Sequence, residues 1–287
     1  MLTTLIDGLG FAEGLRWRDG KLWFSDFLTR KVQSVDLEGA LEWVGYVPGQ
    51  PSGLGFSTEG KPLVVSMIDR KVLQLGFEQL DVVADLVSFN TPPCNDMLVD
   101  DAGTMYVSTF SYELWYETIP QGASSPLIRI DPNGKASVAA SDLRMPNGIT
   151  LLPDRRTLVV AETHACRLTA FTLQADGSLG GRRCFAELDC HPDGICCDAH
   201  GDVWVSGLYD SRFVKVRDGG EVISTIPTPG RWAVACALGG VDGRRLFCAT
   251  TAVQQANDLR MGRCVSAIEY TDVEVPSPDS RTKIAAC

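Results

Sequence analysis

Four polar residues, Glu13, Asn95, Asn147 and Asp193, stand at matching points of a repeated sequence unit. The clearest copy is Met145-Pro146-Asn147-Gly148-Ile149-Thr150, followed by the apolar run Leu158-Val159-Val160-Ala161. Glu13-Gly14 precedes Leu22-Trp23-Phe24-Ser25 in the same way. Asn95-Asp96 precedes Met105-Tyr106-Val107-Ser108, and Asp193-Gly194 precedes Val203-Trp204-Val205-Ser206. If equivalent points of the unit converge in space, two carboxylates and two amides meet. Carboxylates at close range repel, and a cation between them removes the repulsion. Carboxylate and amide oxygens are donors for hard ions, so one Ca²⁺ is the expected cofactor, with Mg²⁺ and Mn²⁺ as alternatives. Zn²⁺ completes the divalent ions considered, although it favours His or Cys, and neither recurs at this position. A polar–Gly pair taken singly marks a turn. The register of four points to a site.

The elements that must position these residues follow from the spacing. The apolar runs begin at Leu22, Leu63, Met105, Leu158, Val203 and Leu246, giving intervals of 41, 42, 53, 45 and 43 residues. Turn clusters such as Asp19-Gly20, Glu59-Gly60, His200-Gly201 and Val241-Asp242-Gly243 precede them. A period of about 40–50 residues is that of propeller blades. Alternating β-branched residues without helical periodicity predict strands, about four to a repeat. The expected fold is all-β, a six-bladed β-propeller forming one domain over residues 1–287. The segment Cys264-Val265-Ser266-Ala267-Ile268 is expected to pair with the N-terminal strand and close the ring, removing exposed sheet edges. The innermost strand of each blade lines the channel. The six equivalent channel positions are then Glu13, Ser52, Asn95, Asn147, Asp193 and, with the weakest alignment, Ala233. The long interval of 53 residues holds an insertion at 112–125 that includes Tyr112, Trp115 and Tyr116. It reads either as a lid or substrate wall, or as a loop packed on its own blade.

Other chemistries are excluded or disfavoured. The net charge of −10 and the absence of a basic stripe argue against nucleic acid as a partner. No apolar run is long enough for a membrane helix. The first residues lack the basic segment and apolar run of a secretory leader, which makes the cytoplasm the expected location. None of the ten Cys forms a C-x-x-C pair, so buried free thiols in a reducing compartment are expected. No G-x-S-x-G elbow and no H-E-x-x-H occurs. Of the three His, His200 is expected in solvent and His164 in a hydrogen bond between blades. His191, two residues before Asp193, is placed at the rim of the site. Cys94 adjoins Asn95 but should face away from it.

At these residues the chain resembles the regucalcin, gluconolactonase and luciferin-regenerating-enzyme family. The resemblance is carried by Phe11-Ala12-Glu13-Gly14-Leu15-Arg16-Trp17, Cys94-Asn95-Asp96, Pro146-Asn147-Gly148-Ile149, Ala161-Glu162-Thr163 and Pro192-Asp193-Gly194-Ile195. It implies a six-bladed propeller with one divalent cation near its axis. Glu13, Asn147 and Asp193 would be the direct ligands, and Asn95 would touch substrate or water. Asp193 would double as general base. Sugar-lactonase members carry an Arg two residues before the Asn matching Asn95 and a Gly two residues after it. Here those places hold Pro93 and Met97.

The expected reaction is hydrolysis of a lactone or related cyclic ester less polar than a sugar lactone. Asp193 and Asn95 are the expected catalytic residues. Asn95, Met97, Tyr112, Trp115 and His191 are the expected substrate contacts. The alternatives are a metal-holding propeller that binds a partner without chemistry, and a cyclase or isomerase on the same scaffold.

Overall fold

Turn residues at short intervals cut the chain into strands of 5 to 9 residues. The computed structural model describes residues 1–76, 79–112, 120–253, 258–259 and 261–278. Among them the strands form six four-stranded antiparallel sheets, as the 40–50-residue period predicts. The first strand, β1 (Thr3–Leu9), pairs with the last, β24 (Val265–Asp272), and so completes the sixth sheet. Closure occurs where the sequence places it.

Each blade begins at the axis. The innermost strands are β2 (Ala12–Arg18), β6 (Pro51–Phe56), β10 (Cys94–Val99), β14 (Pro146–Leu151), β18 (Pro192–Cys197) and β22 (Trp232–Gly239). Each packs beside the next, and β22 packs beside β2, so the ring is continuous. The blades are held together by apolar side chains and by hydroxyls at the ends of the second strands. Trp17 of blade one stacks on Phe247 of blade six with ring centres 5.2 Å apart. Ser25 Oγ donates to the carbonyl of Ser52 at 2.6 Å, and Thr163 Oγ1 donates to that of Pro192 at 2.7 Å. The bond between blades expected of His164 is thus made by its neighbour Thr163, while the His164 ring stacks on Tyr112 instead. The described cysteines are free, and six of them are buried. No described helix is long and apolar enough to cross a membrane.

The inner strands share one irregularity. Each slips register with its second strand near its start, between Glu13 and Arg16, Pro51 and Leu54, Cys94 and Met97, Pro146 and Ile149, Pro192 and Ile195, and Ala233 and Ala235. These are β-bulges, which add a residue and re-aim the side chains around them. They also explain the recurring glycines. A Cβ on Gly148 would stand 2.5 Å from the carbonyl oxygen of Asp193 and 2.6 Å from the nitrogen of Ile195. A Cβ on Gly53 would stand 2.3 Å from the nitrogen of Met97. The obstacle in both cases is backbone of the next blade, which cannot swing aside. Gly148→Ala is therefore expected to destabilise the fold by about 2–3 kcal/mol, as overpacking does. Urea denaturation measures this, and a midpoint equal to wild type would contradict it.

Candidate functional site

Glu13, Ser52, Asn95, Asn147, Asp193 and Ala233 are each the second residue of an inner strand. The sixfold register therefore puts them at one level of the channel, Ala233 included. The five polar side chains form a chain of hydrogen bonds across blades. Ser52 Oγ lies 3.0 Å from Glu13 Oε2 and 3.3 Å from Asn95 Oδ1, with one hydrogen to share between them. Asn95 Nδ2 donates to Asn147 Oδ1 at 2.9 Å, and Asn147 Nδ2 donates to Thr163 Oγ1 at 3.2 Å. The Asn147 side chain also hydrogen-bonds the Asp193 carboxylate. The stretch leading into Glu13 is fixed by Asp26, buried at the end of the second strand. Its carboxylate accepts from the backbone N–H of Gly10 at 2.8 Å and of Phe11 at 3.0 Å.

The electrostatics of this ring are unfavourable as they stand. Burial, followed by the nearby Asp193 carboxylate, pushes the Glu13 carboxyl well above its usual range. Burial and then the Asp96 charge do the same to Asp193. Glu13, Asn147 and Asp193 line one cavity of about 10 Å³, roughly the room one water molecule or bare ion needs. Two carboxylates and one amide side chain lining an ion-sized space are donor types that fit a hard divalent cation. Among the described residues no three His, Cys, Asp or Glu side chains cluster as ligands, so the third donor of such a site is an amide.

Two residues that strand alternation did not find complete the cavity wall. Asp96 and Arg16 both line it. Arg16 Nη2 donates to Asp96 Oδ1 at 3.0 Å and to the Met97 carbonyl. Period-two alternation assigns Asp96 to the opposite face from Asn95 and puts Met97 on the same face. The bulge between Cys94 and Met97 reverses that. Met97 is fully buried between blades among Leu63, Val65, Val72 and Val107, so the structure corrects its expected place as a substrate contact. Cys94 is buried in the same cluster, and burial pushes its thiol up to about 12, which leaves it no nucleophilic role.

Around the mouth the described rings make a broken arc. Tyr112 stacks on His164 at 5.6 Å with planes 3° apart. His191 meets Tyr209 edge-on at 5.3 Å, and Tyr209 meets Trp232 at 5.0 Å. His191 Nδ1 lies 3.1 Å from Asp210 Oδ2, which orients the ring. Burial, then the fields of Tyr112 and Asp193, raise the Tyr209 phenol above its usual value. Tyr209 and Trp232 carry no sequence signal of a site, because they lie outside the repeat's polar–Gly position. Trp115, with the rest of residues 113–119 of the insertion, lies outside the described residues.

Beside Asn147, the buried Glu162 anchors the approach to its strand by accepting the Arg144 backbone N–H at 2.7 Å and Arg167 Nε at 2.9 Å. Burial alone would raise its carboxyl. Bonds from Arg167, Thr169 and the Arg144 N–H outweigh this and hold it below the ordinary 4.5. A carboxyl depressed in the folded state contributes stability above its unfolded pKa, and the contribution is lost as pH falls through the folded value. Glu162→Gln should therefore lower the thermal midpoint at neutral pH, with the gap to wild type narrowing below pH 4.5. A gap that stays constant into acid would contradict this.

The sequence matches the family described as SMP-30/Gluconolactonase/LRE-like region over residues 11–252. A 6-deoxy-6-sulfogluconolactonase of Pseudomonas putida is 30% identical over 190 residues, which are 63% of this chain and 62% of that protein, under two thirds of its length. A solved luciferin-regenerating enzyme superposes with a TM-score of 0.82 at 16% identity, covering 96% of this chain and 97% of the other. A solved gluconolactonase of Xanthomonas campestris superposes with a TM-score of 0.75 at 25% identity, covering 94% and 89%.

Proposed function

The chain belongs to the SMP-30/gluconolactonase/LRE-like family, and from that membership we propose that it is a divalent-metal-dependent hydrolase of lactones or related cyclic esters. The observation that carries the reading is the meeting of Glu13, Asn147 and Asp193 at one ion-sized cavity. These three residues would hold the cation, with Ca²⁺ the expected ion. A bound divalent cation supplies positive charge that polarises an ester carbonyl and eases the deprotonation of water.

The chain's own residues do the rest. Beside a bound cation Asp193 would be ionised and able to accept a proton at neutral pH. Asp193 then takes the proton of the attacking water and gives it to the departing alkoxide. Asn95 Nδ2 has two hydrogens, and one is used on Asn147 Oδ1. The other is available to a water or to the oxyanion that develops on the carbonyl. Tyr112, His191, Tyr209 and Trp232 form walls at the mouth. Their rings support a lactone with an apolar face, less polar than a sugar lactone. The Pseudomonas relative is by its name a sulfogluconolactonase, which favours a sugar-type lactone as the second reading.

Hydrolysis of aliphatic, aromatic and sugar lactones, with and without chelator, tests both. Turnover of at least one class is expected, and it should disappear on chelation and return with Ca²⁺. Full activity after the metal is stripped would reject the metal-dependent reading. Failure of every lactone with Ca²⁺ present would reject the hydrolase.

A further inference from the structure

We propose that Arg16 is the counter-charge that limits this channel to a single divalent cation, acting through its ion pair with Asp96. The inference rests on the metal reading above and assigns a function to two residues which that reading leaves idle. The cavity wall carries three carboxylates, Glu13, Asp96 and Asp193, and one guanidinium, Arg16. Three negative charges and one positive leave a formal −2, the charge one divalent ion cancels. Without Arg16 the wall would carry −3.

The geometry shows a fixed pair. Arg16 stands on the inner strand of blade one and reaches Asp96 on the inner strand of blade three. The arginine side chain is 23% exposed and the aspartate 11%, so water screens the pair only weakly. Both ends are tied down. Arg16 Nη1 donates to the Leu15 carbonyl at 2.8 Å, and Asp96 Oδ1 also accepts the Met97 N–H at 2.7 Å. Asp96 occupies the place that holds Gly14, Gly53, Gly148 and Gly194 in four of the other blades, directly after the hub residue. An acidic residue at this level would add a third ligand charge if left unpaired. Its field already reaches both Glu13 and Asp193. The guanidinium sits 3.0 Å from its Oδ1, a positive charge paired with the acid at the cavity wall. Arg16 is thus a positioning residue toward the cation.

Calorimetric titration with Ca²⁺ alone, on wild type, Arg16→Met, Asp96→Asn and the double variant, tests this. Circular dichroism and thermal melts identify any variant that fails to fold. Removing the fixed positive charge should tighten Ca²⁺ by about tenfold or more, or admit a second ion. Removing the acid while keeping the arginine should weaken Ca²⁺ by a similar factor. Removing both should return affinity and stoichiometry near wild type, because a neutral pair has been deleted. A structural strap predicts otherwise, with both single variants weaker and the double variant at least as weak. That pattern, or unchanged affinity in both single variants, would overturn the proposal. Absence of Ca²⁺ binding by wild type would reject the metal reading itself, a separate result.

Discussion

Asp193→Asn is expected to lower kcat for lactone hydrolysis by about 10³-fold or more at saturating Ca²⁺, with the fold intact. Asparagine has nearly the same shape, so the hydrogen bond from Asn147 and the close packing of Gly148 against the Asp193 carbonyl have no reason to change. It cannot take a proton from water at neutral pH. Loss of a general base costs typically 10²–10⁴-fold. The same substitution removes one of two ligand charges, so the assay must include enough Ca²⁺ to keep the site filled. A kcat within tenfold of wild type, in a variant with native circular dichroism, would remove Asp193 from the chemistry.

The second large effect is a pair of opposite changes in one variant. Glu13→Gln is expected to weaken Ca²⁺ by about 100-fold, because ligand charge sets the affinity of an oxygen site. The same variant should be more stable than wild type when no divalent ion is present. The Glu13 carboxyl is pushed up in the folded chain, mainly by burial and then by Asp193. A group raised on folding favours the fold below its unfolded pKa, and that advantage is lost as pH rises through the folded value. The cation-free wild type should therefore lose stability as the solution becomes more alkaline, and Glu13→Gln should lose less. Added Ca²⁺ should raise the wild-type melting temperature, since a ligand that binds only the folded chain stabilises it. Melts across pH, in chelator and in Ca²⁺, measure all of this. A Glu13→Gln protein that binds Ca²⁺ as wild type does would remove Glu13 from the ligand set.

Much of this arrangement could be read from the chain. The repeat interval gives six blades, and the polar–Gly register gives the level at which Glu13, Asn147 and Asp193 meet. Even Ala233, the weakest alignment, falls in register. What could not be read was anything that depends on the bulges. Strand alternation sends Asp96 away from the channel and Met97 into it. One extra residue between Cys94 and Met97 exchanges them. The same device between Glu13 and Arg16 brings both to the cavity wall, although they are three residues apart. The recurring glycines were visible, but their reason is the backbone of the next blade, which no local pattern reveals. The mouth was legible only in part, because Tyr209, after the second strand of blade five, and Trp232, the first residue of β22, meet only across blades.

The central claim is that oxygens of Glu13, Asn147 and Asp193 grip one hard cation. Anomalous diffraction from crystals grown with Mn²⁺ tests it most directly. One peak is predicted, about 2.0–2.6 Å from an oxygen of each of the three residues. A peak elsewhere, with these three side chains turned to other partners, would contradict the account.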